Sequence, residues 1–437
     1  MENNIVKPSI LPGFLEFLPA DQILFNNMLD TIRKNYEHFG FIPQETPILE
    51  KSEVLLAKGG GETEKQIYRF TKGDTDMSMR FDLTVPLARY VAQNMNELSF
   101  PYRRYQIGKV YRGERNQRGR FREFYQCDID IIGNGKLSII NDAEIPAVIY
   151  STFKDLGFDA FVININNRKI LNGFFNAIGT VDKTEVLRII DKLDKIGIEG
   201  VRKELKDSGI NEEQLLRIED FIKLDGDTDK VIEALKNLGI SEEEFVMGIS
   251  EIEQVVKYIR DFKVPEDNFK LNLKIARGLD YYTGTVYETI LKDYPSIGSV
   301  CSGGRYDNLA GYYTKQKLPG VGISIGLSRL FYQLKEAKII EAGASTLTKV
   351  LVVPMDENIS YSINTANKLK AEGIVAQVYF EEGKLAKKLN YANKLGIPYV
   401  IIIGSDERES GKLTLKDMVE GEQKSYSIEE IIELINK

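Results

Sequence analysis

The sequence predicts an α+β domain built on a mainly antiparallel sheet, interrupted by a helical insertion and followed by a smaller α/β domain. Three observations carry this prediction. Between Tyr102 and Asp130, two runs with the alternation of strands flank a short basic turn, the pattern of a hairpin. Roughly Arg168 to Lys263 changes character to long charged helical stretches. From about Lys349 the runs VLVVP, IVAQVYF and YVIIIG are separated by two helix-like stretches, as parallel strands with crossover helices require.

Taken in order, Asp21 to His38 carries Leu24, Phe25, Met28, Leu29, Ile32 and Tyr36 at spacings of three and four, so it is an amphipathic helix. Gly40 stops it. His38, the single histidine, sits in the last turn, where a structural role is expected. From Phe41 to about Asn166, strands predominate over helices. Gly59-Gly60-Gly61 lacks the Lys-Ser/Thr of a phosphate loop and reads as a loop within 58–66. In the insertion, breaks at Ser208-Gly209-Ile210-Asn211 and Leu238-Gly239-Ile240-Ser241 each end one helix at glycine and cap the next with Asn211 or Ser241. Strand-like sequence resumes at Leu271, and EAGASTLT has linker composition. The divisions are therefore 1–167 and 264–340 for the first domain, 168–263 for the insertion, 341–348 for the linker and 349–437 for the last domain.

Composition bounds the possibilities without selecting one. A chain of 437 residues with 43% apolar and 28% charged residues is an ordinary globular protein with room for two or three cores. No apolar run is long enough to span a bilayer, and MENNIVKPSI is no export signal, so cytoplasmic residence is the default. Cys127 and Cys301 cannot by themselves build a zinc site or a disulfide framework. The formal charge of −7 has the wrong sign for coating a nucleic acid, so RNA binding would depend on local basic patches. Neither a membrane nor DNA is expected as a partner.

The stretch YRGERNQRGRFREFYQCDID is the most informative. Five arginines surround a turn, and the second strand then places Arg122, Phe124, Gln126, Asp128 and Asp130 on one face. Arg112 and Glu114 share a face of the first strand by the same rule. If the faces coincide, guanidinium, amide, carboxylate and an aromatic ring meet on one surface, which suits a nucleotide triphosphate beside a small zwitterion. An arbitrary Arg-rich hairpin would more often be a salt-laced surface.

The order of residues decides between these. Arg-x-Glu, a basic loop, then Arg-x-x-x-Phe resembles motif 2 of the class II aminoacyl-tRNA synthetases, and FYQCDIDIIG resembles its histidyl version. RGLDYYTGTVYE, from Arg277 to Glu288, is similar to a signature of the histidyl enzymes. GFIPQETPILE with Pro47 resembles motif 1, MRFDLTVPLARY the histidine-binding loop, and GVGISIGLSRL motif 3. KLNYANKLGIPYVIIIGSDE resembles the anticodon-binding domain of histidyl enzymes, which turns the cluster Lys384, Lys387, Lys388 and Lys394 from a solvated face into an expected RNA contact. The resemblance runs from about residue 13 to the C-terminus.

The resemblance implies a homodimer that joins L-histidine to tRNA(His) with ATP. Magnesium would come with the triphosphate, and no zinc is expected. Arg112 matches the arginine on the α-phosphate and substrate carboxylate, and Arg277 the residue that stabilises that phosphate. Arg120 and Arg329 match contacts to the distal phosphates, Glu114 the acceptor from the adenine amino group, and Phe124 the ring stacked on adenine. Asp82, Thr84 and Gln126 match contacts to the α-amino group, to which Arg112 and Arg277 add the carboxylate end. Asp130 and Tyr282 match the pair on the two ring nitrogens; Tyr281 beside them fits either ligand contact or core packing, and Asp128 reads as structural. Gln117 and Arg118 match contacts to the tRNA acceptor end. Many bacterial members carry glutamate where this chain has Asp82 and Asp130. An inactive histidine-binding paralogue that regulates a histidine-pathway enzyme is the alternative, but such regulators lack the last domain and erode the arginines that this chain retains.

Overall fold

A computed structural model describes residues 6–57, 62–114, 119–180, 182–190, 192–275 and 282–436. The chain divides into two compact units. The first takes in the sequence up to Leu15 and Leu29–Ala337, the second Glu16–Met28 and the sequence from Lys338 onward.

Strands of the first unit are, in chain order, β1 (Ile42–Pro43), β2 (Leu49–Lys51), β3 (Arg69–Lys72), β4 (Thr75–Met79), β5 (Tyr102–Tyr111), β6 (Glu123–Ile132), β7 (Phe161–Asn167), β8 (Phe269–Leu271), β9 (Thr285–Leu291), β10 (Ser299–Tyr306) and β11 (Gly320–Ile325). Three of them form a small sheet in the order β2-β4-β3; the other eight form the main sheet, ordered β1-β5-β6-β11-β10-β9-β7-β8. Only the outer pairs β1–β5 and β7–β8 run parallel.

Alternation explains how the sheet is used. Along β6, Cys127, Ile129 and Ile131 are fully buried apolar residues on one face, and Gln126, Asp128 and Asp130 alternate with them on the other. Tyr36, near the end of the helix Pro19–His38, donates to the Cys127 carbonyl at 2.9 Å and pins that helix to the apolar face. Helix Ile140–Asp155 lies beside it, with Asn35 donating to Asp155 at 2.8 Å. Its buried Asp142 takes Arg305 of the SGGRYD run in a two-pronged pair, so that arginine braces the back of the sheet.

Between β7 and β8 lie the helices Arg168–Ala177, Lys183–Ile190, Leu193–Asp207, Glu212–Ile222, Thr228–Asn237 and Glu243–Asp261. Asn211 caps its helix with a reciprocal bond to Gln214, as its sequence position predicts. The cap expected at Ser241 falls instead on Glu242, whose carboxylate accepts from the Phe245 amide at 2.8 Å. Its longer side chain reaches the third amide of the helix, so the helix starts one residue later than a serine cap would set. In the loop read as 58–66, Glu62–Gln66 is a short helix, and residues 58–61 lie outside the described residues.

In the second unit β12 (Val350–Pro354), β13 (Ala376–Val378) and β14 (Tyr399–Ile403) are parallel, and β15 (Leu413–Asp417) and β16 (Gln423–Tyr426) extend the sheet antiparallel. The continuous apolar runs VLVVP and YVIIIG follow from burial on both faces: Val350, Val352, Ile401 and Ile403 serve one core, Leu351, Val353, Val400 and Ile402 the other. Helix Leu385–Leu395 places Lys384, Lys387 and Lys394 at the exposed surface. Lys388 differs. It is buried, and its ammonium donates to the Pro354 carbonyl at 2.7 Å, so it belongs to the fold and not to an RNA-facing row. Among the described residues, no helix is long and apolar enough to cross a membrane.

Candidate active site

Strand register assembles the site. Arg104 on β5 pairs with Asp130 on β6, Asp130 with Gly322 on β11, and Gly322 with Gly304 on β10. One step along the strands, Gln106, Asp128, Ser324, Ser302 and Glu288 form a second row. Cross-strand partners share a face, so both rows lie on the face opposite the apolar core.

Glycines in these rows make room. A Cβ on Gly322 would collide with the Asp130 carboxylate, and one on Gly304 would lie 2.9 Å from the Tyr282 ring. On Gly320 it would lie 2.5 Å from the ring of Tyr306. The GVG and SGG runs therefore leave bare strand over which Asp130, Tyr282 and Tyr306 lie. Asp130 and the strand beneath Tyr282 are two strand spacings apart, roughly 10 Å.

Asp130 is held from two sides. Arg104 donates to Oδ2 at 2.7 Å, and the Tyr306 hydroxyl donates to Oδ1 at 2.7 Å. Burial pushes its carboxyl up to about 6, against the pull of Arg104 and Tyr306, with Asp82 adding to the rise. Burial pushes Asp128 further, to about 7. Asp82 is also raised by burial, while the Val85 amide and then Arg112 pull it down. Its Oδ1 accepts from the Val85 amide at 3.0 Å, in the first turn of helix Thr84–Asn94, of which Thr84 is the first residue. Gln126 donates to Ser324 at 2.9 Å. Gln126 Oε1 and Asp128 Oδ1 are buried without a hydrogen-bond partner among the described residues, the mark of a polar surface shaped for something beyond its own side chains. Burial raises the Tyr282 hydroxyl well above its ordinary value.

The other end of the face is an open cleft of about 320 Å³, lined by Arg112, Glu114, Arg120, Phe124, Gln126 and Arg329 among others. The Arg112 guanidinium lies 5.1 Å from the centre of the Phe124 ring, and its Nε donates to the Phe81 carbonyl at 3.0 Å. Arg120 reaches Glu114 at 3.3 Å. Arg329, on helix Leu327–Glu336, donates to the Ile297 carbonyl at 3.3 Å.

Every sequence-predicted ATP contact thus borders one cleft, and Gln126 leads from it toward Asp130. Arg112 and Glu114 do not lie on the first strand as alternation suggests. β5 ends at Tyr111, and Gly113 donates to the Gln66 carbonyl at 2.7 Å, which draws the chain out of the sheet. Arg277, Tyr281, Gln117 and Arg118 lie outside the described residues. Sequence reasoning passed over Arg104, Ser324 and Tyr306. Arg104 and Tyr306 stand in the quoted runs YRRYQIG and SGGRY, but their facing Asp130 depends on register that alternation alone does not fix. Among the described residues, no three His, Cys, Asp or Glu side chains are grouped to hold a metal ion.

Comparison with known proteins agrees with this geometry. The sequence profile described as histidyl-tRNA synthetase matches residues 13–330, and that of an anticodon binding domain matches 349–437. A histidine–tRNA ligase of Clostridium tetani is 64% identical over 436 residues, covering 100% of this chain and 99% of the relative. One from Clostridium acetobutylicum is 53% identical, covering 98% and 100%. The crystal structure of histidyl-tRNA synthetase from Nostoc sp. PCC 7120 superposes with a TM-score of 0.93 at 43% identity, covering 99% of each chain. By fold, site and full-length relatives alike, the chain belongs to the histidyl-tRNA synthetase family of class II aminoacyl-tRNA synthetases.

Proposed function

We propose that this chain is a histidine–tRNA ligase whose chemistry runs along the polar face of β6. What carries the reading is one juxtaposition: the arginine-lined cleft and the Asp130 pocket share a strand, with Gln126 between them. In the first step a carboxylate oxygen of L-histidine attacks the α-phosphorus of ATP, and pyrophosphate leaves. In the second, the terminal ribose hydroxyl of tRNA(His) attacks the adenylate carbonyl, and AMP leaves.

Negative charge gathers on phosphoryl oxygens in the first transition state, so fixed cations are the main requirement. Arg112 and Arg277 supply them at the α-phosphate, and arginine suits the task because its charge is permanent and its fork planar. Arg120 and Arg329 hold the distal phosphates. Glu114 accepts from the adenine amino group, and Phe124 stacks on its ring. Magnesium enters as part of the nucleotide substrate, held by phosphate and water; Glu114, the acid lining the cleft, is engaged by Arg120.

Asp82, Thr84 and Gln126 receive the substrate's α-ammonium. Asp130 and Tyr282 take the two imidazole nitrogens across the bare glycines, and a spacing of roughly 10 Å between β6 and the strand beneath Tyr282 admits a flat ring bonded at both sides. A carboxylate on one nitrogen and a phenol on the other fixes the tautomer and rejects apolar isosteres. The loop with Gln117 and Arg118 contacts the tRNA acceptor end, and 349–437 reads the anticodon, with 168–263 an insertion in the catalytic domain. The exposed Ile42, Ile48 and Leu49 of the motif 1 segment suit burial in a homodimer, and the cytoplasm is where the reaction is placed.

ATP–pyrophosphate exchange with each standard amino acid tests the reading. Histidine alone should stimulate it; exchange with another amino acid and none with histidine would sink the assignment. Replacing Gln117 and Arg118 together by alanine should weaken aminoacylation and spare exchange, whereas a parallel fall in both reactions would remove the tRNA role of that loop.

A further inference from the structure

Two buried arginines on the main sheet are treated very differently by their surroundings. Arg305 is fully engaged: its Nε and Nη2 bind the Asp142 carboxylate, and its Nη1 and Nη2 reach the Leu137 and Ser138 carbonyls. Arg104 has no exposed surface, yet only its Nη2 is used, for Asp130 at 2.7 Å and the Leu83 carbonyl at 3.3 Å. Its Nε and Nη1 have no hydrogen-bond partner among the described residues. A brace would saturate its donors as Arg305 does. Arg104 instead acts mainly through charge and through one carboxylate.

We propose that Arg104 is a positioning residue for histidine recognition, holding Asp130 ionised and fixed so that it accepts the imidazole N–H. The inference rests on the reading of Asp130 as the ring-binding carboxylate. Both contacts of Nη2 matter. Leu83 lies between Asp82 and Thr84, the residues assigned to the substrate's amino end, so one guanidinium nitrogen ties the amino end of the pocket to its ring end. The short aspartate side chain gives Asp130 little freedom once Arg104 holds Oδ2 and Tyr306 holds Oδ1.

The charges facing Asp130 define the sign. Arg104 from β5 and the Tyr306 hydroxyl from β10 favour its ionised form; burial and the neighbouring Asp82 oppose it. Asp128, next along β6, and Tyr282 share the same enclosure, and Arg104 also pulls down Asp82 and Asp128. Without Arg104, Asp130 would keep its proton to higher pH. It would then present a hydroxyl where the substrate needs an acceptor.

The test compares Arg104→Met, Arg104→Lys and Asp130→Asn in the full chain by pyrophosphate exchange between about pH 5.5 and 9, a range that brackets the imidazole's own titration. Arg104→Met should raise KM for histidine by about tenfold or more and leave KM for ATP near its original value. Its acid limb in kcat/KM for histidine should move up by about one pH unit or more relative to the unaltered protein. Arg104→Lys should restore part of both, and should carry the comparison if the methionine variant does not fold. An unmoved acid limb, or equal rises in KM for both substrates with a lowered Tm, would overturn the inference. Asp130→Asn separates the two ideas. If it abolishes histidine use while the Arg104 variants leave both KM for histidine and the acid limb unmoved, only the role of Arg104 falls; if it leaves histidine use intact, the ring-binding reading itself falls.

Discussion

Strand β6 serves two environments within eight residues. Near its start, Phe124 borders a cleft whose charged groups are open to water: the Arg120 side chain is 53% exposed and Glu114 21%. Near its end, Asp130 and Arg104 form an ion pair with 4% and 0% exposure. The open end suits a polyanion that must enter and leave, since solvated arginines tolerate their own rearrangement and screening. The closed end suits discrimination, because polar groups removed from water leave a large penalty when a ligand fails to satisfy them. On the proposed function, one strand would separate binding of the common substrate from selection of the specific one.

The contrast can be broken most sharply at Asp130. Asp130→Ala should lower kcat/KM for histidine by about 10⁴-fold, the scale for a site that loses its partner to a substrate polar group, while ATP binding measured by nucleotide titration stays intact. An unchanged kcat/KM would erase the distinction between the two ends.

Arg112→Ala, at the junction, should slow exchange by about 10²–10³-fold, mostly in kcat, as expected for a preorganised cation used in the transition state. Arg120→Ala, in the open cleft, should change KM for ATP and leave KM for histidine alone. Equal effects of the two on kcat in single-turnover assays would show that exposure does not grade these arginines.

A finer probe is Gly322→Ala. The added methyl meets Asp130 and the Ile129 carbonyl, so unfolding stability should fall by about 1–3 kcal/mol, and histidine KM should rise more than ATP KM. Stability lost without any change in histidine KM would show that the glycine serves packing alone.

The smallest effect concerns pH. Asp128 sits at about 7 in the fold against an ordinary value of 3.8. The folded form therefore binds the extra proton between those values, and the group's contribution to stability is lost as pH rises through that window. Asp128→Asn should flatten this part of the Tm–pH curve relative to the unaltered protein. Superimposable curves would mean that Asp128 is better solvated than its burial implies.

Much of this was legible in the chain itself, and the gaps have physical causes. Alternation placed Gln126, Asp128 and Asp130 on one face because side-chain period is local. The Arg104–Asp130 pair was not visible, since register depends on a turn whose length alternation does not specify. The glycines of GVG and SGG read as motif letters; their purpose appears only when neighbouring side chains lie over them. Asp128 looked structural by sequence, yet it carries an unpartnered oxygen on the site face. Lys388 looked like its neighbours on the helix, but a helix turns one position in every few toward the core, and that position found the Pro354 carbonyl.

The grouping of Glu16–Met28 with the C-terminal section has a consequence in time. Ile23 and Leu24 line a groove with Leu347, Thr348 and Pro398, but the first of these partners is encoded roughly 320 residues later. At roughly 5–20 residues per second of ribosomal synthesis, the early segment waits about 15–60 s for them. During that interval the first half of the Pro19–His38 helix keeps apolar side chains in water. The leading end of the chain therefore completes its own compact unit only after the last hundred residues have emerged.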